Sequence, residues 1–434
     1  MTDALHLECA EKIVSAIYPS GNLLSSFMFG KPGAPHWDMQ FGTEIFTRGR
    51  EYLDAVLYVR RHGAPYLRLI SIGDLRSMIT SFVTANFWHI GGNNFPPRSS
   101  GSYGAAMNLA NKVALAKCLA ASPMFSPVPK LSLFPLLTLN VVNSLEADNF
   151  FLVSAEQLSH SHVITDARRM ALDGTHFPPI LEWEGIRRPV VGWLGVRSPL
   201  PQISEKMAAS VLGAIALTQL PRYRFLFSGR KIFGGRCTLD NGFTVALSDE
   251  GHTPPLMHDM LVTSGDHVWL TELNSLFTAT DRPTRSKLRA LEYFYRAWFL
   301  NPRERFAPLC MALDALLGVE HGHTAAAVKF VKAIVDPSID EKRLRLLMRV
   351  RGAVIHGAAP DVFDSESYED YWLTYRADPI HDLELIVAKC LRTAIFKDDL
   401  KYHADPLAEK IAALRASGRL PAVIEPDTII SPEL

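Results

Sequence analysis

The chain has 434 residues, 48% of them hydrophobic, which is material for about two or three domains rather than one. Lys plus Arg equals Asp plus Glu at 45 each, so no overall basic field draws the protein to nucleic acid or to an anionic membrane, and any RNA contact has to be local. Five scattered cysteines, without a CxxC pair or a Cys/His cluster at zinc-finger spacing, exclude a disulfide framework and read as reduced thiols in a cytoplasmic protein that needs no metal and no cofactor.

The N-terminus, MTDALHLECAEKIV, is acidic where a secretory signal would be basic, so export is not expected. Up to about residue 125, helical patterns such as DALHLECAEKIVSAIY and IGDLRSMITSFVTANFW alternate with the breaker-rich loops GKPGAPHWD and HIGGNNFPPRSSGSYG. From 130 to 280 short apolar runs suggest strands: LSLFPLLTLNVV, NFFLVS, RYRFLFS and FTVALS. Asn241-Gly242 supplies the backbone angles of a tight hairpin between two of them. SEKMAASVLGAIALTQL reads as one helix packed among the strands. Leu131 to Val142 and Met207 to Leu217 fall short of the roughly 20 residues that span a bilayer, and read as a buried strand and a buried helix.

Beyond Pro283 long helical patterns take over. Thr284 or Ser286 is a candidate cap for a first helix through ALEYFYRAWF. Asn301-Pro302 ends it and starts a second through ERFAPLCMALDALLG, which Gly318 and Gly322 close. A third helix runs through TAAAVKFVKAIV, a fourth from Asp340-Glu341 through KRLRLLMRVRGAVIHG, and a fifth from Asp378-Pro379 through IHDLELIVAKCLRTAIF. The acidic run DVFDSESYEDYW between the last two reads as a solvated loop, and the tail after about 400 as loosely attached. The fold class expected is therefore α+β: a mixed α/β region over 1–280, divisible near 125, an all-α bundle over 283–400, and a tail over 401–434.

The fourth helix carries the candidate chemistry. Lys342, Arg343, Arg345, Arg349 and Arg351 precede Ile355-His356-Gly357, with Glu341 alone to balance them, which predicts a local positive stripe able to meet RNA phosphate. At about 100° per residue, Arg351 falls on one seam with Leu344, Met348 and Ile355, so its guanidinium must find a partner. Arg345, Arg349, Gly352 and His356 form the neighbouring stripe. Arg351 and His356 are offset by roughly 140°, so they converge only near a helix end or across a dimer interface.

The string Arg351-Gly-Ala-Val-Ile-His356-Gly357 resembles the Arg-x4-His motif of HEPN domains, and its setting is closest to the Apea-like branch. The order ALDALLG, AAAVKFVKAIV, RGAVIHG and DPIHDLELIVAKCL matches that branch over about 283 to 397. The resemblance implies a HEPN-like helical bundle that pairs as a homodimer and cuts RNA without metal. His356 would move the proton of the 2′-hydroxyl or of the leaving oxygen, and Arg351 would hold the scissile phosphate. Products would be a 2′,3′-cyclic phosphate and a 5′-hydroxyl. Many relatives act in bacterial defence against phage or in toxin systems, which implies a phage-derived or small-molecule trigger read by the N-terminal region. Arg349 and Arg345 are the candidate substrate contacts. Asp314 stands where the family has Glu, and Gly352 where active members often carry a polar residue. The alternative is a non-catalytic HEPN-like module for dimerisation or partner binding, with Arg351 an interhelical ion-pair partner and His356 a helix cap.

Other patterns carry less. His160/His162 and His321/His323 have alternate spacing, but no third metal ligand accompanies either pair. HIGGNNFPPRSSGSYG lacks the ending of a phosphate-binding P-loop, and SGRKIFGGRC is not a dinucleotide fingerprint.

Overall fold

The structure, a computed structural model, describes residues 4–20, 24–29, 41–91, 101–160, 172, 189–239, 243–279, 281–318, 324–403, 408–420 and 427–431. The GKPGAPHWD loop, most of HIGGNNFPPRSSGSYG, the Asn241-Gly242 turn, Gly322, and His162, His321 and His323 lie outside them. The fold is α+β, and the chain divides into two compact units, Met1–Pro129 and Lys130–Leu434.

In the first unit the Ala4–Ser15 helix buries Cys9, Ala10, Ile13 and Val14 and packs against the Gly49–His62 and Leu109–Ala120 helices. The Ile72–Ala85 helix starts with a reciprocal cap: the Ser71 hydroxyl accepts from the Asp74 N–H, and the Asp74 carboxylate accepts from the Ser71 N–H. This unit also holds a small antiparallel sheet in which Phe41–Thr47 lies between Ile17–Tyr18 and Leu24–Phe29. These strands lie in a stretch whose local patterns predict helices and loops.

The second unit is built on a six-stranded antiparallel sheet in the order Phe243–Ser248, Gly234–Leu239, Lys130–Leu136, Gly192–Ser198, Phe150–Ser154, Leu145–Glu146. Strand alternation divides its side chains between two cores. Phe134, Leu136, Phe150, Leu152, Leu194 and Val196 enter the larger one, and Leu133, Phe151, Trp193, Cys237 and Leu239 the smaller. The expected hairpin is present, with Leu239 opposite Phe243. The RYRFLFS run is not a strand: Pro221–Arg224 is a helical turn, and only Phe227 bridges, to Leu256.

The larger core does not stop at the sheet. It continues through the Pro201–Ala216 helix into the helices beyond Arg282, up to Leu400 and Ile430. The Arg282–Trp298 helix packs on both Pro201–Ala216 and Pro302–Leu317. The approach is close enough that a Cβ on Gly213 would lie 2.4 Å from the Leu291 carbonyl oxygen. The boundary expected at 280–283 is therefore not a boundary between compact units. What changes there is the type of secondary structure, while the hydrophobic interior is shared. The compact units divide after Pro129.

Capping chemistry sets the helix starts as expected at Asn301-Pro302, Asp340 and Asp378-Pro379. The first bundle helix instead starts one turn earlier than expected, with Asp281 accepting from the Thr284 N–H at 2.8 Å. The acidic run is not a loop. Glu366–Tyr375 is a helix that buries Tyr371. Pro379–Phe396 is buried on nearly every side and forms the axis of the bundle. The tail is also not loose where it is described: Asp427 and Ile429 bond to Arg343 and Asp382, and the His403 N–H donates to the Thr218 carbonyl at 3.0 Å.

His252 links the sheet to the bundle. Its Nε2 meets the Gly235 backbone, its ring stands edge-on to Phe134, and the Tyr295 hydroxyl donates to its carbonyl at 2.8 Å. Burial pushes the imidazole pKa down to about 4, with the Gly235 hydrogen bond opposing the shift. Between about pH 6.5 and that value the unfolded chain binds a proton that the folded chain refuses, so stability falls as pH falls through this window. In urea unfolding, the wild type should lose on the order of 2–3 kcal/mol more than His252→Gln when the pH is lowered from about 7 to about 4. Equal losses would remove His252 from the acid response.

Candidate functional site

Two helices position the site. Pro302–Leu317 buries Phe306, Leu309, Cys310 and Leu313, leaves Asp314 at the edge of that face, and ends at Gly318 with φ 65°. Glu341–Ile355 buries Leu344, Leu347, Met348 and Val350, and Arg351 goes inward with them. The partner that Arg351 was expected to need is Asp314: Nη2 donates to Oδ1 at 2.6 Å and to Oδ2 at 2.5 Å. The Arg351 side chain is 9% exposed and that of Asp314 32%. The Arg351 Nε is buried and makes no hydrogen bond among the described residues.

His356 lies at the other extreme. It is the C-cap of the same helix, exposed, with its N–H donating to the Gly352 carbonyl at 3.1 Å. Gly357 follows at φ 72°, donating to Val354, and Ala358 donates to Ala353, the bond pattern that ends a helix at a left-handed residue. The ring makes no hydrogen bond among the described residues, and the residue is exposed. Within one chain the guanidinium points in and the imidazole out, as their angular offset requires.

The positive stripe expected on this helix is mostly neutralised. Arg343 is buried against Asp382 at 2.6 Å, Arg351 is held by Asp314, and Arg345 pairs with Glu341 at 2.8 Å. Of the candidate substrate contacts, Arg345 is thus engaged within its own helix. Arg349 is exposed, with no hydrogen bond or ion pair among the described residues.

Gly352 meets open space, since a Cβ added there would have nothing within 4 Å. Glycine in a helix is less favourable than alanine by up to about 1 kcal/mol. Gly352→Ala should therefore raise the thermal unfolding midpoint, by an amount equivalent to about 0.5–1 kcal/mol. A lowered midpoint would mean that the bare backbone is needed against an approaching surface.

Sequence reading missed three groups. Asp314 lines a cavity of about 350 Å³ together with Arg282, Arg285, Ser286, Arg289 and Gly318. A second cavity, of about 390 Å³, is bordered by Phe225, Arg305, Arg376, Asp378, His381 and Glu384. There burial raises the pKa of Asp378 and lowers that of His381, while Glu384 is fully buried against Arg224. Third, Asp382 gathers Arg343, the Tyr371 hydroxyl and the Ile429 N–H. Each group joins residues far apart in sequence. The one local signal was the recurrence of arginine at 282, 285 and 289 on a helix.

Among the described residues no group of three or more His, Cys, Asp or Glu is placed to hold a metal ion, and no helix is long and apolar enough to cross a membrane. The chain matches no known protein-family profile, no curated protein and no solved structure.

Proposed function

We propose that this chain is a metal-independent endoribonuclease of the HEPN type, similar to the Apea-like branch, that works as a cytoplasmic homodimer. The observation that carries the reading is a guanidinium buried and held by a carboxylate, five residues before an exposed imidazole at the end of the same helix. Asp314 fixes the direction of Arg351 through Nη2 alone, and a phosphate would meet the guanidinium through its remaining Nη donors. His356, open to solvent, accepts the 2′-hydroxyl proton or protonates the leaving 5′-oxygen. Attack by that hydroxyl closes a 2′,3′-cyclic phosphate and releases a 5′-hydroxyl end. Because the two side chains diverge within one chain, a second protomer completes the site, each supplying its own pair. Met1–Pro129, a compact unit of its own, would carry the trigger-sensing role, and defence against phage or a toxin system is the matching biological setting.

The test is incubation of purified protein with a mixed RNA pool in EDTA, followed by analysis of the new ends. Cyclic phosphate ends that depend on His356 support the reading. The second reading, a non-catalytic dimerisation or partner-binding module, is favoured by the completeness of the Arg351–Asp314 pair within one chain, which would serve simply to tie two helices together. It would stand if the wild type cuts no RNA, with and without a phage lysate added as trigger.

A further inference from the structure

The cavity beside Asp314 has a sign. Arg282, Arg285 and Arg289 recur at spacings of three and four on the Arg282–Trp298 helix, which puts the three within about 60° of one another around its axis, with Ser286 at the edge of the same face. Like charges so placed repel one another, and a helix keeps them together at a cost. The carboxylate in the cavity does not offset them, because Asp314 is already bonded through both oxygens to Arg351. Asp281 interacts with Arg285 but is committed as the helix cap, and Glu292, near Arg289, also feels Lys206 and Arg296. Neither Arg285 nor Arg289 makes a hydrogen bond or ion pair among the described residues. The result is a concave, open surface with an excess of guanidinium, a hydroxyl at Ser286, and a shared wall with the Asp314–Arg351 pair.

We infer that this cavity is a phosphate-binding subsite in which Arg285 and Arg289 grip a phosphate group next to the one that Arg351 meets. Guanidinium groups suit that ligand because they offer several donors in fixed directions to its oxygens. The ligand's carrier rests on the function proposed above: an RNA strand would lay successive phosphates across the two positions, whereas a free phosphorylated small molecule would fill the cavity alone. With an RNA strand, the subsite would set the register of the chain relative to His356, and so the bond that is cut.

The experiment measures binding separately from cutting. A fluorescent RNA oligomer with 2′-O-methyl sugars lacks the attacking hydroxyl, so its anisotropy reports affinity alone. Wild type, Arg285→Ala/Arg289→Ala and Arg285→Lys/Arg289→Lys would be titrated over a range of salt, with thermal unfolding as the check on folding. The subsite predicts that the alanine pair weakens binding by on the order of 10-fold or more at low salt and lowers the slope of log affinity against log salt by about 1 to 2. The lysine pair should recover the slope but only part of the affinity. In a parallel arm, inorganic phosphate or a mononucleotide should raise the unfolding midpoint of the wild type but not of the alanine pair if the natural ligand is small. Unchanged RNA binding and an unchanged phosphate response in the alanine pair would overturn the subsite, even if RNA is cut in a His356-dependent way. Arginine-dependent binding without any cutting would keep the subsite and remove the nuclease.

Discussion

His356→Ala is expected to lower RNA cleavage by about 10²–10⁴-fold, the usual contribution of a positioned acid or base, while leaving the unfolding midpoint where it was. The second half of that expectation follows from placement. The imidazole is exposed and makes no hydrogen bond among the described residues, and the helix terminates through backbone bonds at Gly357 and Ala358 that an alanine preserves. A loss of cutting therefore cannot be ascribed to a damaged fold. Arg351→Ala should lower the rate by about 10²–10³-fold, as loss of a group that stabilises developing charge does, and should cost some stability as well, because it leaves Asp314 without its partner. Arg351→Lys should not rescue the rate, since an ammonium cannot bond Asp314 and still present a planar set of donors. The measurement is cleavage of a defined RNA in single turnover with EDTA. Cutting by His356→Ala at the wild-type rate would end the nuclease reading, whatever the arginine variants do.

Asp382→Ala should be the most damaging single change to stability, costing about 3–5 kcal/mol in urea unfolding. Its carboxylate is almost completely buried on the axial helix of the bundle. Oδ2 accepts from Arg343 Nε at 3.1 Å and Nη2 at 2.6 Å and from the Tyr371 hydroxyl, and Oδ1 accepts from the Ile429 N–H at 2.9 Å. Burial, then the charge of Asp382, pushes the Tyr371 hydroxyl pKa up, which keeps it protonated and donating. Removing the acid leaves the buried guanidinium with the Asp427 carbonyl and a 3.7 Å contact to the exposed Asp427 carboxylate, and a poorly compensated buried charge costs more than the pair contributed. The double change Arg343→Met/Asp382→Leu, which removes both charges, should recover most of the loss. A cost below about 1 kcal/mol for Asp382→Ala would show that water reaches Arg343 and replaces the acid. Because Arg343 lies on the helix that ends in His356, the single variant should also cut RNA more slowly than its folded fraction predicts.

The parts of this structure that could be read from the sequence are those decided within a few residues. Asn301-Pro302, Asp340 and Asp378-Pro379 announce helix starts because a side-chain oxygen and a backbone N–H two or three residues on make the cap by themselves. Short apolar runs marked Lys130–Leu136 and Phe150–Ser154 as strands, and periodicity placed Arg351 on an apolar seam with the correct inference that it needs a partner. The identity of that partner had no local signal, since Asp314 lies on another helix. The strand order, with Lys130–Leu136 paired to Gly192–Ser198 and Gly234–Leu239, is set by long-range burial and leaves no local trace. RYRFLFS misled because an apolar run interrupted by arginines looks like an edge strand, whereas Arg224 is drawn into the interior by Glu384, far along the chain. ESYEDYWLTY misled in the opposite sense: its charges suggested solvent, but Tyr371 is the one residue on it that the interior requires.

The close seating of Gly213 on the Leu291 carbonyl has an evolutionary consequence. A segment transplanted from Pro283 onward would arrive with Leu291, Phe294 and Trp298 stripped of the layer that covers them, and any bulkier residue at position 213 of a new host would hold the graft off its seat. The smallest piece that can be exchanged between proteins as a working whole is then the entire stretch from Lys130, strands included. Relatives that share its ending would be expected to share its sheet.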